Sequence, residues 1–578
     1  MAVTRRFISL INNRFYNLSY SAIFTADMAE QFPWFQSYPD FVPQTVDNNK
    51  YESLAAVFDN VVAKYGDQVA FQNMDVTMTY NQLKANVDAF AWYLQNNTNL
   101  KPGDRIAIQM PNLLQFPVAM FAAIKCGFVA VNTNPLYTAE EMKHQYNDSG
   151  AKALVILENF ASNYQKIIKD TNVETVIVTR IGDMLGGVKG GIVNLVVKHV
   201  KKMVPAYDLP KAIKFKDVLA AGKGKAPTPV SLSHKDMAFL QYTGGTTGVS
   251  KGAVLTHGNI CSQLSQIDGW LTGLFKGGEV VITALPLYHI FALTANCLTF
   301  FNYGARNVLI TNPRDMKAFI KDLKKNPFAL ITGVNTLFNG LLNQPDFKDV
   351  DFSKLKIALG GGMAVQDAVA TNWQEVTGSP LLEAYGLSET SPAATINPTN
   401  GTHKMGTIGL PIPNTDIKIF DDDKKEVAYG ERGEIGIKGP QVMAGYWNRP
   451  EATEECMHGE YFLTGDIGII DDDGFFRIVD RKKEMVCVSG FNVYPSEVEA
   501  VIFEHPKVLE VGVRSEPDEK TNEAVMAFVV KKDDSLTETE VREFCKEKLT
   551  NYKRPKHIVF RDELPKSNVG KILRRKLV

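Results

Sequence analysis

Two stretches of this chain alternate short apolar runs of strand character with helical periodicity, and that rhythm constrains the fold more than any other feature. In residues 51–180 a helical pattern at 80–94 precedes a strand pattern at 105–109, a helical pattern at 116–126 and a strand pattern at 153–157. In residues 254–385 strand-like runs recur at 280–282, 308–310, 330–332 and 357–359. Strands that alternate with helices pair in parallel and carry the helices on their faces, so the pattern predicts two related α/β layers. A chain of 578 residues exceeds what one hydrophobic core serves, which requires at least two domains.

Beyond about residue 405 the texture changes. Short strand patterns at 415–420, 433–439, 468–470 and 475–479 are separated by turn formers such as Asp471-Asp472-Asp473-Gly474, the mark of a small β-rich subdomain. From about 483 a tail follows with strands at 511–514 and 524–530 and a helix at 537–549, long enough to fold as its own unit. The expected fold is α/β: a lead-in over 1–50, a large N-terminal domain of layered α/β subdomains plus a β-rich subdomain over 51–482, and a small C-terminal α+β domain over 483–578.

Charge and cysteine usage remove several function classes. With 63 basic and 64 acidic residues the net charge is -1, so nothing global favours nucleic acid. Six cysteines without CxxC or metal-ligand spacing predict reduced thiols in a cytoplasmic protein, with no disulfide and no zinc. Residues 1–27 carry Arg5, Arg6 and Arg14 and no acid before Asp27, which fits either a targeting segment or a start placed upstream of Met28.

The window 280–305 holds no charged residue and imitates a membrane span. Pro286, His289, Asn296 and Asn302 interrupt it, so a buried segment is expected. Residues 189–225 contain nine lysines and two aspartates. On a helical wheel Ile192, Leu195, Val196, Val200 and Met203 oppose Lys198, Lys201 and Lys202. That is either a basic amphipathic helix lying on an anionic membrane or a surface helix with a solvated lysine face.

The densest chemistry lies at 242–252, Tyr-Thr-Gly-Gly-Thr-Thr-Gly-Val-Ser-Lys-Gly. Gly244, Gly245 and Gly248 let several backbone N–H groups converge on one anion, with hydroxyls from Thr243, Thr246, Thr247 and Ser250 and the charge of Lys251. The spacing is neither the Walker pattern nor the dinucleotide fingerprint. Taken alone it reads either as a phosphate cradle or as a Gly/Thr turn. Glu389 in Tyr385-Gly-Leu-Ser-Glu-Thr390 is suited to Mg²⁺ on a nucleotide, because that ion takes one or two carboxylates plus phosphate oxygens. Gly360, Gly361 and Gly362 permit a flat ring to approach backbone, Asp466 can accept ribose hydroxyls, and Arg481 follows it. Lys571, after Gly570, can neutralise charge that develops in phosphoryl transfer. Each of these alone also has an ordinary structural reading as a turn, a surface ion pair or a solvated charge.

In order, YTGGTTGVSKG (242–252), LPLYHIFALT (285–294), YGLSET (385–390), YFLTGD (461–466), DRKKEMVCVSGFNVYPSEVE (480–499) and PKSNVGKILRRKL (565–577) resemble the motifs of adenylate-forming enzymes, and in detail those of bacterial long-chain fatty acid–CoA ligases. The similarity runs from about Tyr51 to the C-terminus.

The resemblance implies activation of a long-chain fatty acid by ATP through an acyl-adenylate and transfer of the acyl group to CoA. It implies that Thr243, Gly244, Gly245, Thr246, Thr247, Gly248 and Lys251 cradle the β- and γ-phosphates, that Glu389 holds Mg²⁺ and that Thr390 contacts the α-phosphate. Gly360, Gly361, Gly362 and Tyr385 would line adenine, and Asp466 and Arg481 would hold ribose. Lys571 would bridge carboxylate and α-phosphate during adenylation only. The C-terminal domain, mobile in the family, would then rotate about Lys483 and bring Gly490, Phe491, Asn492 and Tyr494 to the CoA path.

The resemblance also implies that His289, in the uncharged window, lies beside the acyl and pantetheine channels, where a histidine in an apolar run is expected to position rather than act as a base. Peripheral contact with the cytoplasmic face of the membrane through 189–204 and a homodimer complete the expectation. Two other readings stay open at the level of sequence: an acyl-AMP ligase or adenylation enzyme serving a carrier protein, and a silent fatty-acid-binding or transport-coupling protein.

Overall fold

The computed structural model describes residues 32–243, 250–567 and 570–578. The cradle residues Gly244, Gly245, Thr246, Thr247 and Gly248 and the segment 1–27 lie outside the described residues.

Two mainly parallel sheets form the large part of the molecule. The seven-stranded sheet runs, edge to edge, Ile213–Lys214, Thr175–Thr179, Ala151–Leu157, Arg105–Gln109, Val129–Asn132, Met237–Thr243 and Lys251–Thr256. The nine-stranded sheet runs Leu410–Pro411, Ala393–Ile396, Leu381–Gly386, Ile357–Gly361, Leu330–Gly333, Val280–Thr283, Arg306–Leu309, Val69–Asn73 and Val76–Thr79. Strands covered on both faces read as continuous apolar runs, and Val129–Asn132, Val280–Thr283 and Leu330–Gly333 are buried throughout.

The hairpin 69–79 departs from the sequence reading. It lies within the first α/β stretch, yet Val69–Asn73 pairs in parallel with Arg306–Leu309 of the second sheet. Local periodicity specifies a strand but not its neighbour, so the crossing between the two layers was illegible.

Helix starts are written locally. Thr79, Thr138 and Thr537 accept N–H groups three residues on, while Gln82, Glu141 and Glu540 reach back, closing capping boxes on the helices Tyr80–Asn97, Ala139–Ser149 and Glu538–Lys548. The helix Gln115–Lys125 is buried from Gln115 through Ile124 and belongs to the central core.

A five-stranded antiparallel sheet follows, containing Asp416–Phe420, Gly433–Lys438, Met457–His458, Tyr461–Ile470 and Phe476–Arg481. The strand Tyr461–Ile470 begins seven residues before the apolar pattern at 468 because buried polar Thr464 and Asp466 break the alternation. A single turn, Lys482–Glu484, leads to a last sheet containing Val486–Val488, Phe491–Val493, Val508–Asp518, Asn522–Lys531 and His557–Arg561. That sheet has its own core around Val498, Ile502, Val513 and Val529.

The uncharged window is an interior segment. It comprises the strand Val280–Thr283, a run of wide π-type turns Ala292–Leu298 and the helix Thr299–Asn302, all mostly buried. Among the described residues no helix is long and apolar enough to cross a membrane.

The lysine-rich segment forms the helix Gly187–Leu195 and a wide-turn continuation Val196–Val200. Its apolar residues are divided. Val196 is half-buried, whereas Ile192, Leu195, Val200 and Met203 are more than half exposed on the surface. The widened turn shifts the register that a uniform helical wheel assumes.

Candidate active site

A cavity of about 1760 Å³ opens where the C-terminal ends of both large sheets, the antiparallel sheet and the last residues of the chain converge. Ligand crevices of open α/β sheets form at such strand ends.

One wall is a polar cluster in which Asp466 and Tyr385 are buried and Arg481 is half-buried. Asp466 and Arg481 face each other across the antiparallel pair, with Arg481 Nε 2.8 Å from Asp466 Oδ1. The Tyr385 hydroxyl donates to Asp466 Oδ2 at 2.6 Å. Burial raises the Asp466 pKa, and the Arg481 charge opposes that shift.

Glu389 is buried in the turn after the strand Leu381–Gly386, where burial raises its pKa. The Tyr446 hydroxyl donates to Glu389 Oε1 at 2.7 Å and holds the shift back. The same ring carries the Lys251 ammonium 5.0 Å from its centroid.

Thr243 and Lys251 pair across the strands that flank the Gly/Thr segment. The stem is braced from outside: the Tyr242 hydroxyl donates to Asp148 Oδ2 at 2.7 Å, Arg449 pairs with Asp148 Oδ1 at 2.5 Å, and His144 Nε2 lies 3.0 Å from the Ser250 carbonyl.

Lys571 enters from the chain's end. A Cβ added at Gly362, where φ is +78°, would lie 3.3 Å from the lysine Cε, so glycine leaves the room the lysine occupies. Burial and then the nearby Arg481 charge lower the Lys571 pKa to about 8. His289 lines the same cavity half-buried, its pKa lowered to about 4 by burial and the Lys571 charge, so at neutral pH it is uncharged.

The cavity continues as an apolar arm between the nine-stranded sheet and the elements covering it. On one sheet face Ile357, Leu359 and Gly361 run beside Leu382, Ala384 and Gly386, so side chains shrink toward the polar end. Ile267 and Leu271 of the helix His257–Trp270 and its end, with Phe300 of the window, close the far end. The Phe300 ring packs edge-on against Phe275 at 4.8 Å.

The structure thus brings together Thr243, Lys251, His289, Gly361, Gly362, Tyr385, Glu389, Asp466, Arg481, Lys483 and Lys571. It does not bring every expected residue there. Gly360 is turned into the fold, where a Cβ would meet Val365 at 2.5 Å. Thr390 is fully buried, accepting the Leu387 N–H at 2.8 Å and bonding to the Pro392 carbonyl, and the hydroxyl residue that lines the cavity at this turn is Ser388. Gly490, Phe491, Asn492 and Tyr494 lie outside the cavity on and beside the hairpin Val486–Val493. There Phe491 is 57% exposed and stacked on Tyr552, and the Arg432 guanidinium lies over the Tyr494 ring.

Sequence reasoning missed Ser388, Tyr446 and Glu383. Burial pushes the Glu383 carboxyl up to about 7 while it accepts the Val365 N–H at 3.0 Å. Tyr446 gave no signal because its role depends on meeting Glu389 and Lys251, which are distant in sequence.

Two parallel-sheet layers, a small terminal domain and a cavity joining a carboxylate–guanidinium pair to an inserted lysine define a nucleotide-using enzyme. The AMP-binding enzyme model matches residues 58–447 and the AMP-binding enzyme C-terminal domain model residues 497–571, and the chain belongs to the AMP-binding enzyme family. The long-chain-fatty-acid–CoA ligase of Escherichia coli O6:H1 is 53% identical over 545 residues, covering 94% of this chain and 97% of that protein. The enzyme of the same name from Haemophilus influenzae is 52% identical over 548 residues, with 94% and 97% covered. Among solved structures, a benzoate CoA ligase from Burkholderia xenovorans LB400 superposes with a TM-score of 0.78 at 25% identity, over 91% of this chain and 100% of that one.

Proposed function

We propose that this chain is an AMP-forming ligase that joins long-chain fatty acids to CoA. The observation that carries this reading is one cavity in which an apolar arm ends at Lys571, beside the Asp466–Arg481 pair and Glu389. The relatives that match nearly its whole length bear the same activity in their names.

In the first half-reaction a carboxylate oxygen of the fatty acid attacks the α-phosphorus of ATP, and the bond to pyrophosphate breaks. Both reactants are anions, so the protein's work is charge neutralisation and alignment rather than nucleophilic catalysis. Lys571 bridges the two, Ser388 supplies the hydroxyl at the α-phosphate, and Thr243 and Lys251 grip the leaving group. Asp466 and Arg481 hold the ribose, and Gly361, Gly362 and Tyr385 bound the adenine. Neutral His289 positions the acyl carboxylate without competing for its charge.

Glu389 fits a Mg²⁺ ligand: it is a buried carboxylate held by the Tyr446 hydroxyl, and among the described residues no cluster of three His, Cys, Asp or Glu could hold a metal unaided. A single carboxylate with phosphate oxygens matches the habit of that ion, which supplies neutralisation of the phosphates when bound.

In the second half-reaction the CoA thiol attacks the acyl-adenylate and AMP leaves. Lys571 withdraws as the small domain turns about Lys483, and the segment Gly490, Phe491, Asn492 and Tyr494, outside the cavity in this arrangement, comes over it. The exposed Ile192, Leu195, Val200 and Met203, flanked by Lys198, Lys201 and Lys202, give the enzyme a peripheral foothold on anionic bilayer, the source of its substrate. Flotation with anionic liposomes tests this, and unchanged binding of an Ile192→Glu/Leu195→Glu variant removes the helix from the account. A homodimer belongs to the same reading, with sedimentation as its test. The activity itself is tested by palmitate-dependent ATP–pyrophosphate exchange and palmitoyl-CoA formation. Folded protein lacking both refutes it.

A further inference from the structure

Three residues after Lys571, the Arg574 guanidinium is enclosed and engaged on every side. Its Nε and one terminal nitrogen grip Glu499 at 2.9 and 2.6 Å, and that terminal nitrogen also donates to Ser496 Oγ at 2.8 Å. The other terminal nitrogen donates to Asp480 Oδ1 at 2.8 Å and Glu484 Oε2 at 2.7 Å. The Asp480 side chain is only 2% exposed, and it also accepts the N–H groups of Arg481 and Ser496, each at 2.7 Å.

These partners belong to different parts of the molecule. Asp480 lies near the end of the strand Phe476–Arg481 of the antiparallel sheet, and Glu484 lies in the linking turn. Ser496 and Glu499 lie on the helix Pro495–Phe503 of the small domain. One side chain therefore ties the two sheets together across the turn that joins them. The segment it anchors is the one that carries Lys571: the Lys571 N–H donates to Ser567 Oγ at 3.0 Å, the Leu573 N–H to the Pro565 carbonyl at 2.8 Å, and the Thr336 hydroxyl of the large domain to the Gly570 carbonyl at 3.0 Å.

We propose that Arg574 is the positioning residue for Lys571, a latch that holds the small domain with the lysine in the cavity and whose bond to Asp480 must break before the lysine leaves. Three carboxylates share this one guanidinium. Without it they repel one another, and Asp480 becomes a buried charge held by backbone donors alone. A lysine in its place cannot reproduce the two-pronged grip on Glu499. The inference rests on the reading that Lys571 serves the first half-reaction only.

The test uses the full-length protein and three variants, Arg574→Gln, Asp480→Asn and Lys571→Ala. Pyrophosphate exchange with palmitate, thioester formation from supplied palmitoyl-adenylate and the ligand-free interdomain distance by FRET are measured for each. Arg574→Gln and Asp480→Asn are expected to lower exchange by at least about tenfold, keep thioester formation within about threefold, and lengthen or broaden the distance. Lys571→Ala is expected to give the same catalytic split with an unchanged distance, because it removes the charge and leaves the latch. An unchanged distance in both latch variants, or equal loss of both half-reactions in folded latch variants, overturns the proposal. Equal loss of both half-reactions in Lys571→Ala overturns instead the reading beneath it. If Arg574→Gln fails to fold, Asp480→Asn decides alone, since there Arg574 keeps both glutamates.

Discussion

Replacing Leu359 with phenylalanine should convert the enzyme into one that discriminates sharply by acyl length. Leu359 lies midway along the apolar arm, between Gly361 at the polar end and Ile357 near the far end. At ~3.3 Å per strand residue, Gly361 and Ile357 lie about 13 Å apart along the strand that lines the arm, with Leu359 about 6.6 Å from Gly361. A 1.52 Å carbon–carbon bond opening at ~111° advances roughly 1.25 Å per methylene, so about five carbons beyond the carboxyl reach Leu359. Hexanoate stops there, whereas decanoate places four further carbons below. Excluding those four at ~0.8 kcal/mol each forfeits about 3 kcal/mol, or roughly 200-fold in kcat/KM for decanoate. Hexanoate should stay within about threefold. The assay is palmitate-style pyrophosphate exchange repeated for acids of six to eighteen carbons. Equal loss for hexanoate and decanoate would mean damage to the polar site, and no loss for either would mean that the arm does not take the chain. An extended palmitoyl chain, about 19 Å beyond its carboxyl carbon, overruns the arm, so Phe300 and Leu271 have to swing aside for it. Phe300→Ala should therefore raise activity on sixteen- and eighteen-carbon acids relative to decanoate.

Lys571 is charged below its pKa of about 8 and loses that charge as pH rises through it, so adenylate formation should fall above about pH 8. Thioester formation from supplied adenylate should lack that limb, and stopped-flow measurement of each half-reaction separates them. Tyr446→Phe removes the hydroxyl that lowers the Glu389 pKa, so the acid limb of pyrophosphate exchange should move to higher pH. Losing a bond to a charged group costs about 1.5–3 kcal/mol, which should appear as a ten- to hundredfold rise, roughly, in the Mg²⁺-ATP concentration needed. Asp148→Asn weakens the bracing of the Gly/Thr stem by Tyr242 and Arg449 and should raise KM for ATP more than it lowers kcat for thioester formation from supplied adenylate.

What the sequence determined by itself was whatever short-range physics writes into neighbouring residues. The strand Arg105–Gln109 appears with the ends its apolar run suggests. The helix at 537–549 is Glu538–Lys548, because Thr537 and Glu540 cap it within four residues. Gly361, Gly362, Asp466, Arg481 and Lys571 stood out only as members of an ordered set of motifs resembling those of adenylate-forming enzymes, because each alone reads equally as a turn, a surface ion pair or a solvated charge. The tertiary structure alone decided which of them meet. It carried the hairpin 69–79 into the second sheet and turned Thr390 inward while leaving Ser388 at the cavity. It placed Tyr446 between Glu389 and Lys251 and closed Arg574 around Asp480. Those outcomes depend on contacts between residues far apart in the chain, and pairing, depth and burial are properties of the packed whole. The arm's depth is of the same kind: each strand supplies only a pattern of large and small side chains, and a length exists once the strands lie side by side beneath a helix.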